Sequence, residues 1–280
     1  MAHRPSGLEM PNDLVFVRHG ESEANIVQQA ERLGEIAPFH QEIANRPDWQ
    51  QRLTKKGIAQ AERARDWLDF EMGGADSFDG MFVSPFLRAR ETASHLGGDR
   101  WVIDDRIIER YFGGLGTWAQ NTDLTSEDMK TLSVSPWYAR INTAESMQDV
   151  FWRYRSFQDS IRRNHSGQRV LVVAHGHMIR AACYAIEWLL PEDWMKPSVK
   201  ERFKLTNASI VHYSRVNPYN PTEVSKSIRW RRIVYPSDMK NSPEDGKWVE
   251  LKLKRSFSAQ ELAAELDDYP PFLADHKNDI

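Results

Sequence analysis

The sequence predicts an α/β protein: a three-layer α/β/α sandwich with a mostly parallel central sheet, plus a C-terminal strand-rich extension. Three observations carry this. Leu14–Val17 and Val170–Ala174 are continuous apolar runs, as expected of strands covered on both faces. Helical periods alternate with such runs, most clearly Met147, Val150, Phe151, Tyr154, Phe157 and Ile161 within Glu145–His165. After about Ser209 the pattern changes to short strand-like runs separated by turn residues.

In chain order, the first strand hands over to Arg18-His19-Gly20, and a helix is expected from Glu23 to about Glu31. Gly34–Gln51, with two prolines, reads as irregular or partly helical. Thr54 caps a helix on which Ile58, Ala61, Arg65 and Leu68 fall on one face, with Gly73-Gly74 ending it. Phe78–Val83 reads as a second strand, and Ser84-Pro85 turns it into a helix reaching about Leu96. Trp101–Ile103 is a short third strand, and Gly167 stops the long helix before the Val170 run. Ile210–Val216 and Ser227–Val234 flank an Asn/Pro-rich turn, and Trp248–Leu253 is a further strand candidate. Ser258-Ala259-Gln260-Glu261 has capping-box spacing before a short helix. The expected division is a main domain over 1–215, with 33–52 as an insertion and candidate lid. A packed extension follows over 216–280, becoming a tail from about 267.

A chain of 280 residues with 40% apolar content can bury a large core, and ten tryptophans supply bulky anchors. The net charge of -3 argues against a nucleic-acid partner. The single cysteine, Cys183, lies in an Ala-rich helical stretch, so it reads as a buried hydrophobe in a reducing compartment. No apolar run approaches the roughly 20 residues of a membrane span. Met1–Asn12 lacks the pattern of a signal peptide. A cytoplasmic protein with no membrane partner is expected, and a homodimer is a candidate assembly.

Two predicted strands end in His-Gly: His19-Gly20 and His175-Gly176. In doubly wound sheets ligands bind beyond the carboxyl ends of strands, so two such histidines suggest one shared site. Arg18 adds fixed charge beside His19, and Arg88 falls on the first turn of the helix after Ser84-Pro85. Two arginines and two histidines converging on a point repel one another unless an anion sits between them, and the arginine fork suits phosphate.

These pieces, with others in the same order, resemble the histidine phosphatase superfamily, which also holds the cofactor-dependent phosphoglycerate mutases. The matching segments are Arg18-His19-Gly20-Glu21-Ser22 with Asn25, Leu53-Thr54 with Gly57 and Gln60-Ala61, and Ser84-Pro85 with Arg88-Ala89 and Thr92-Ala93. Ile108-Glu109-Arg110 with Phe112-Gly113, Glu145-Ser146 and Ala174-His175-Gly176 complete them, over roughly Leu14–Ser209. The resemblance implies that His19 is the nucleophile and becomes a phosphohistidine. It implies that Arg18, Arg88 and His175 hold phosphate oxygens, helped by Asn25 and Gly176. Glu109 is implied as general acid and then base, and a carboxylate beside phosphate is expected to have a raised pKa. The substrate class is a small-molecule phosphomonoester, with no metal and no cofactor.

Plainer readings stand beside these. Glu109 also fits a local ion pair with an arginine. Arg90 and Arg110 read as solvated or salt-bridged. Asn25 is open between a phosphate or loop contact and a helix cap. Glu21 and Ser22 read as loop supports, and His177 as a pocket or entrance residue. Gln28, Arg32, His40, Arg46 and Trp49 are candidate lid residues. Arg229-Trp230-Arg231-Arg232 reads by default as the solvated face of a strand. The short Glu109–Glu145 stretch without an Arg-Arg pair, and His-Gly-His in place of the mutase His-Gly-Asn, favour hydrolysis over mutase transfer. A non-catalytic phosphate-binding protein is the remaining alternative.

Overall fold

The fold is seen in a computed structural model that describes residues 9–37, 40–113, 125–237, 245–253 and 256–266. Its strands are β1 (Asp13–Arg18), β2 (Gly80–Val83), β3 (Trp101–Ile103), β4 (Arg169–Ala174), β5 (Ile210–Ser214), β6 (Val216–Asn217), β7 (Asn220–Val224), β8 (Trp230–Val234) and β9 (Val249–Glu250). Seven of them form one sheet in the order β3-β2-β4-β1-β5-β8-β9, while β6 and β7 make a small separate hairpin. The β3-β2-β4-β1 half is parallel; β5, β8 and β9 add antiparallel strands on the far side. The predicted strand-rich extension therefore continues the central sheet through β8 and β9.

The helices are α1 (Glu23–Arg32), α2 (His40–Ala44), α3 (Lys55–Met72), α4 (Leu87–Leu96), α5 (Ser126–Val134), α6 (Met147–Asn164), α7 (Gly176–Glu187), α8 (Pro197–Arg202) and α9 (Ala259–Glu265). Alternation along β1 explains the three layers. Leu14 and Phe16 point into a core shared with Met147, Val150 and Tyr154 of α6 and Met178 and Ala182 of α7. Val15 and Val17 point the other way, onto Ala64 and Leu68 of α3 and Ala89 and Ala93 of α4. Each fully buried Val, Leu or Phe on the two faces stabilises the fold by roughly 1.5–3 kcal/mol.

Local signals agree with these elements. Thr54 accepts the Gly57 amide at 3.0 Å, and Ser146 and Ser258 cap α6 and α9 in capping boxes. The buried face of α3 runs through Gly57, Gln60, Ala61, Ala64, Leu68 and Met72, while Ile58 and Arg65 are half-buried, because α4 and the sheet approach from that side. Phe151 likewise sits at the edge of the α6 stripe, whose buried members include Gln158. The reading of the Arg229–Arg232 run as a solvated face is corrected for Arg231 and Arg232, while Arg229 is exposed and pairs with Glu250 at 2.7 Å. Arg231 donates to Glu187 at 2.7 Å inside the core, and Arg232 donates to Glu71 at 2.9 Å between the Trp67 and Trp248 rings. The tail predicted from 267 lies outside the described residues. Among the described residues no helix is long and apolar enough to cross a membrane.

Candidate active site

Parallel pairing brings four strand ends to one place. Arg18 is in register with Ala174, and the His19 amide donates to the Ala174 carbonyl at 3.0 Å, so His19 and His175 emerge side by side. Their rings lie 5.1 Å apart. On the other side of β4, the Ser84 amide donates to Val173 at 3.1 Å, which starts α4 and Arg88 at the same level. Beyond β3, a 3-10 turn (Asp105–Ile107) leads to Glu109. The loop after β1 can lie this close to α3 only because two glycines face each other. A Cβ on Gly20 would sit 2.3 Å from the Gly57 carbonyl oxygen, and one on Gly57 would sit 2.0 Å from that of Glu21.

His19 is buried, and its Nδ1 lies 2.7 Å from the Gly20 carbonyl oxygen. A carbonyl only accepts, so Nδ1 carries the proton and a neutral ring keeps its lone pair on Nε2. Burial, then the charges of Arg88 and Arg18, holds the His19 pKa well below its ordinary range. Nε2 therefore keeps its lone pair free at neutral pH. His175 is fully buried, and its Nε2 lies 2.8 Å from Ser84 Oγ. Burial, then Arg88 and the His19 ring, also pushes its pKa well down. His175 Nδ1 and Arg18 Nε are buried without a hydrogen-bond partner. Buried polar nitrogens left in this way fit a ligand's oxygens. Arg18 is anchored by Nη1 donating to the Leu205 carbonyl at 2.5 Å. Gly176 leaves room above it, since a Cβ there would lie 3.5 Å from Arg18 Nε.

Glu109 rests at the start of α7. Its Oε1 accepts the Arg110 amide at 2.9 Å and the His177 amide at 3.1 Å. Burial raises its pKa, but the His177 hydrogen bond and charge, then His175 and the Arg110 amide, outweigh it and hold the carboxyl well below the usual range. The expectation of a raised pKa concerns Glu109 beside phosphate; in the resting protein a helix N-terminus favours the anion. Of the two readings of Arg110 the solvated one is corrected: it is buried, its Nε donating to the Glu145 carbonyl at 2.7 Å.

Arg88, 4% exposed, is gripped by Asp48: Nη1 donates to Oδ1 at 2.9 Å and Nη2 to Oδ2 at 3.1 Å. Burial raises the Asp48 pKa against the pull of Arg88. Asn25 Oδ1 accepts the Ser22 amide at 3.1 Å and Asn207 Nδ2 at 3.0 Å, so the residue ties the helix start to the loop before β5. Glu21 supports the loop through Thr54 Oγ1 at 3.0 Å and Lys56 at 2.7 Å. Ser22 is buried at the N-cap of α1, and the His177 ring stands 3.7 Å from Glu109 at the cleft. Arg18, His19, Arg88, Glu109 and Asp48 line one cleft of about 770 Å³ together with Glu21, Ser22, Asn25, His177 and Asn207, and Gln28, Arg32, Arg180 and Lys204 extend its wall.

Sequence reasoning missed Asp48, Ser84 and Asn207. Ser84 and Asn207 stand at strand junctions like the two histidines, and that placement was the usable signal. Cys183 is buried on α7, with its thiol pushed up to about 12 by burial, so it is no nucleophile. Among the described residues no cluster of three or more His, Cys, Asp or Glu is poised to hold a metal.

A parallel sheet that gathers two neutral imidazoles, two arginines and a carboxylate at its strand ends defines a phosphoryl-handling protein. The family model of the histidine phosphatase superfamily (branch 1) matches residues 14–219. A 2,3-bisphosphoglycerate-dependent phosphoglycerate mutase of Methylorubrum extorquens is 29% identical over 187 residues, 62% of this chain and 78% of the relative. A putative phosphoserine phosphatase 2 of Hydrogenobacter thermophilus is 32% identical over 136 residues, 46% of this chain and 63% of the relative. Among solved structures, the phosphoserine phosphatase of Entamoeba histolytica superposes with a TM-score of 0.54 at 20% identity, over 77% of this chain and 95% of that one. A mycobacterial glucosyl-3-phosphoglycerate phosphatase superposes with a TM-score of 0.54 at 23% identity, over 79% and 97%. The chain belongs to the histidine phosphatase superfamily.

Proposed function

We propose that the protein hydrolyses small phosphomonoesters through a phosphohistidine on His19. The observation that carries this is the Nδ1 contact to the Gly20 carbonyl, which leaves Nε2 basic and aimed from a buried, rigid ring. Nε2 attacks phosphorus, the ester P–O bond breaks, and the leaving oxygen takes a proton from Glu109. Glu109 rests as a carboxylate and takes up that proton when the phosphoryl dianion settles beside it, since a neighbouring negative charge raises its pKa. Glu109 then removes a proton from water, the water oxygen bonds to phosphorus, the P–N bond breaks, and inorganic phosphate leaves. Arg18 and Arg88 neutralise the equatorial oxygens, and His175 supplies a further polar contact.

Hydrolysis rather than mutase transfer is supported by the 32% identical phosphatase relative and by His175-Gly176-His177. The mutase reading has the longer-matching relatives in its favour. We place the enzyme in the reducing cytoplasm, consistent with its one buried cysteine, and keep a homodimer as its candidate assembly. Purified protein is expected to hydrolyse p-nitrophenyl phosphate with EDTA present. Loss of turnover in EDTA would refute the mechanism. Formation of 2-phosphoglycerate from 3-phosphoglycerate and 2,3-bisphosphoglycerate, faster than phosphate release, would favour the mutase.

A further inference from the structure

We propose that Asp48 is a positioning residue that holds Arg88 so that one edge of its guanidinium meets the phosphoryl group. The proposal rests on the phosphatase reading above. A guanidinium has five N–H donors in a fixed plane. Arg88 spends three of them on one residue: Nη1 donates to the Asp48 main-chain carbonyl at 2.6 Å and to Oδ1 at 2.9 Å, and Nη2 donates to Oδ2 at 3.1 Å. The two left are the Nε–H and the second Nη2–H. They lie parallel on the side edge, at the spacing of two oxygens of one phosphate. Capture by both main chain and side chain of one residue fixes the plane as well as the position of the group.

Asp48 is itself held. It opens a 3-10 turn (Asp48–Gln50), and the Gln51 amide donates to its carbonyl at 3.3 Å. Gln51 Nε2 donates to the Ile43 carbonyl at 2.8 Å, stapling the turn to α2. On the Arg88 side, the Phe86 ring lies 4.9 Å from the guanidinium carbon. The 33–52 insertion thus reaches back to set the geometry of a phosphate-binding arginine on α4.

An acidic residue beside a phosphate site works against ground-state binding of a dianion, so its contribution should appear in turnover. Asp48→Asn keeps the volume but sets an amide N–H₂ against Nη hydrogens. With p-nitrophenyl phosphate, we expect kcat to fall about 10–100-fold, the loss associated with a misplaced catalytic group. Competitive inhibition by inorganic phosphate should be unchanged or tighter, because one negative charge is gone. Asp48→Ala should behave the same way, and it serves if the Asn variant does not fold. A rise in kcat/KM would make Asp48 a competitor for the clamp and overturn the proposal. So would an unchanged kcat, or a phosphate inhibition constant that weakens in step with kcat. Wild-type protein without any phosphatase activity would instead fail the reading beneath it.

Discussion

Replacing Glu109 by Gln separates the two halves of the reaction. The carboxylate accepts the His177 amide at 3.1 Å and the Arg110 amide at 2.9 Å. A carboxamide keeps one accepting oxygen, so the ring of contacts survives while the proton-carrying capacity is lost. General acid–base catalysis contributes about 10²–10⁴-fold. In the first half, p-nitrophenolate is a good enough leaving group to depart without a proton, whereas an alkoxide such as that from glycerol phosphate is not. In the second half, water needs the base whatever the substrate was. Rapid-mixing assays of Glu109→Gln should therefore show a burst of about one p-nitrophenolate per site, followed by turnover slowed roughly 10²–10⁴-fold. With glycerol phosphate no burst should appear and both halves should be slow. The charge-assisted contacts are worth about 1.5–3 kcal/mol, so a modest stability loss accompanies the change. Because the folded-state pKa of Glu109 is depressed, that loss should be present at neutral pH and vanish as pH falls through the folded-state value. Undiminished steady-state turnover of glycerol phosphate by the variant would refute the role assigned to Glu109.

Other outcomes follow from the same geometry. Arg231→Ala leaves the buried Glu187 carboxylate with Tyr213 at 2.6 Å and Arg202 at 3.6 Å, and should cost about 3 kcal/mol in urea unfolding; an unshifted midpoint would contradict the buried pair. Gly57→Ala forces a Cβ toward the Glu21 carbonyl, 2.0 Å away, and should destabilise by about 1–3 kcal/mol while lowering kcat/KM through the displaced His19 loop. Wild-type melting and activity would contradict that contact. His19 and His175 are held neutral by burial first and by Arg88 next, so their pKa values lie below the ordinary 6.5. The unfolded chain then binds more protons: the stability from their neutrality is complete above that ordinary value and is lost as pH falls toward the folded-state values. The urea midpoint should drop on acidification less steeply in His19→Asn than in wild type. A urea midpoint that falls equally steeply on acidification in His19→Asn and in wild type would contradict this.

Much of the site was legible because its residues sit where local patterns end. The apolar runs before His19 and His175 announced buried strands, and parallel pairing of β1 with β4 then obliged their ends to meet. The Thr54, Ser146 and Ser258 caps were readable because capping depends on neighbours three residues away. Asp48 carried no such signal. It reaches Arg88 across 40 positions of chain, and only the folded insertion brings them together. The Arg231 and Arg232 pairings were hidden for the same reason: a charged run reads as solvated until Glu187 and Glu71 arrive from other elements. The resting Glu109 pKa was not legible because burial raises it while the His177 side chain, His175 and the Arg110 amide together hold it down, and the two histidines come from a distant element.

The central claim is that phosphate passes through His19. Enzyme mixed with a phosphomonoester, quenched within a turnover in alkali to preserve phosphoramidates, and digested for mass spectrometry should carry a phosphoryl group on the peptide containing His19. That label should be absent in His19→Ala, which should also be inactive. Full activity in His19→Ala, or turnover with phosphate trapped only on another residue, would contradict the account.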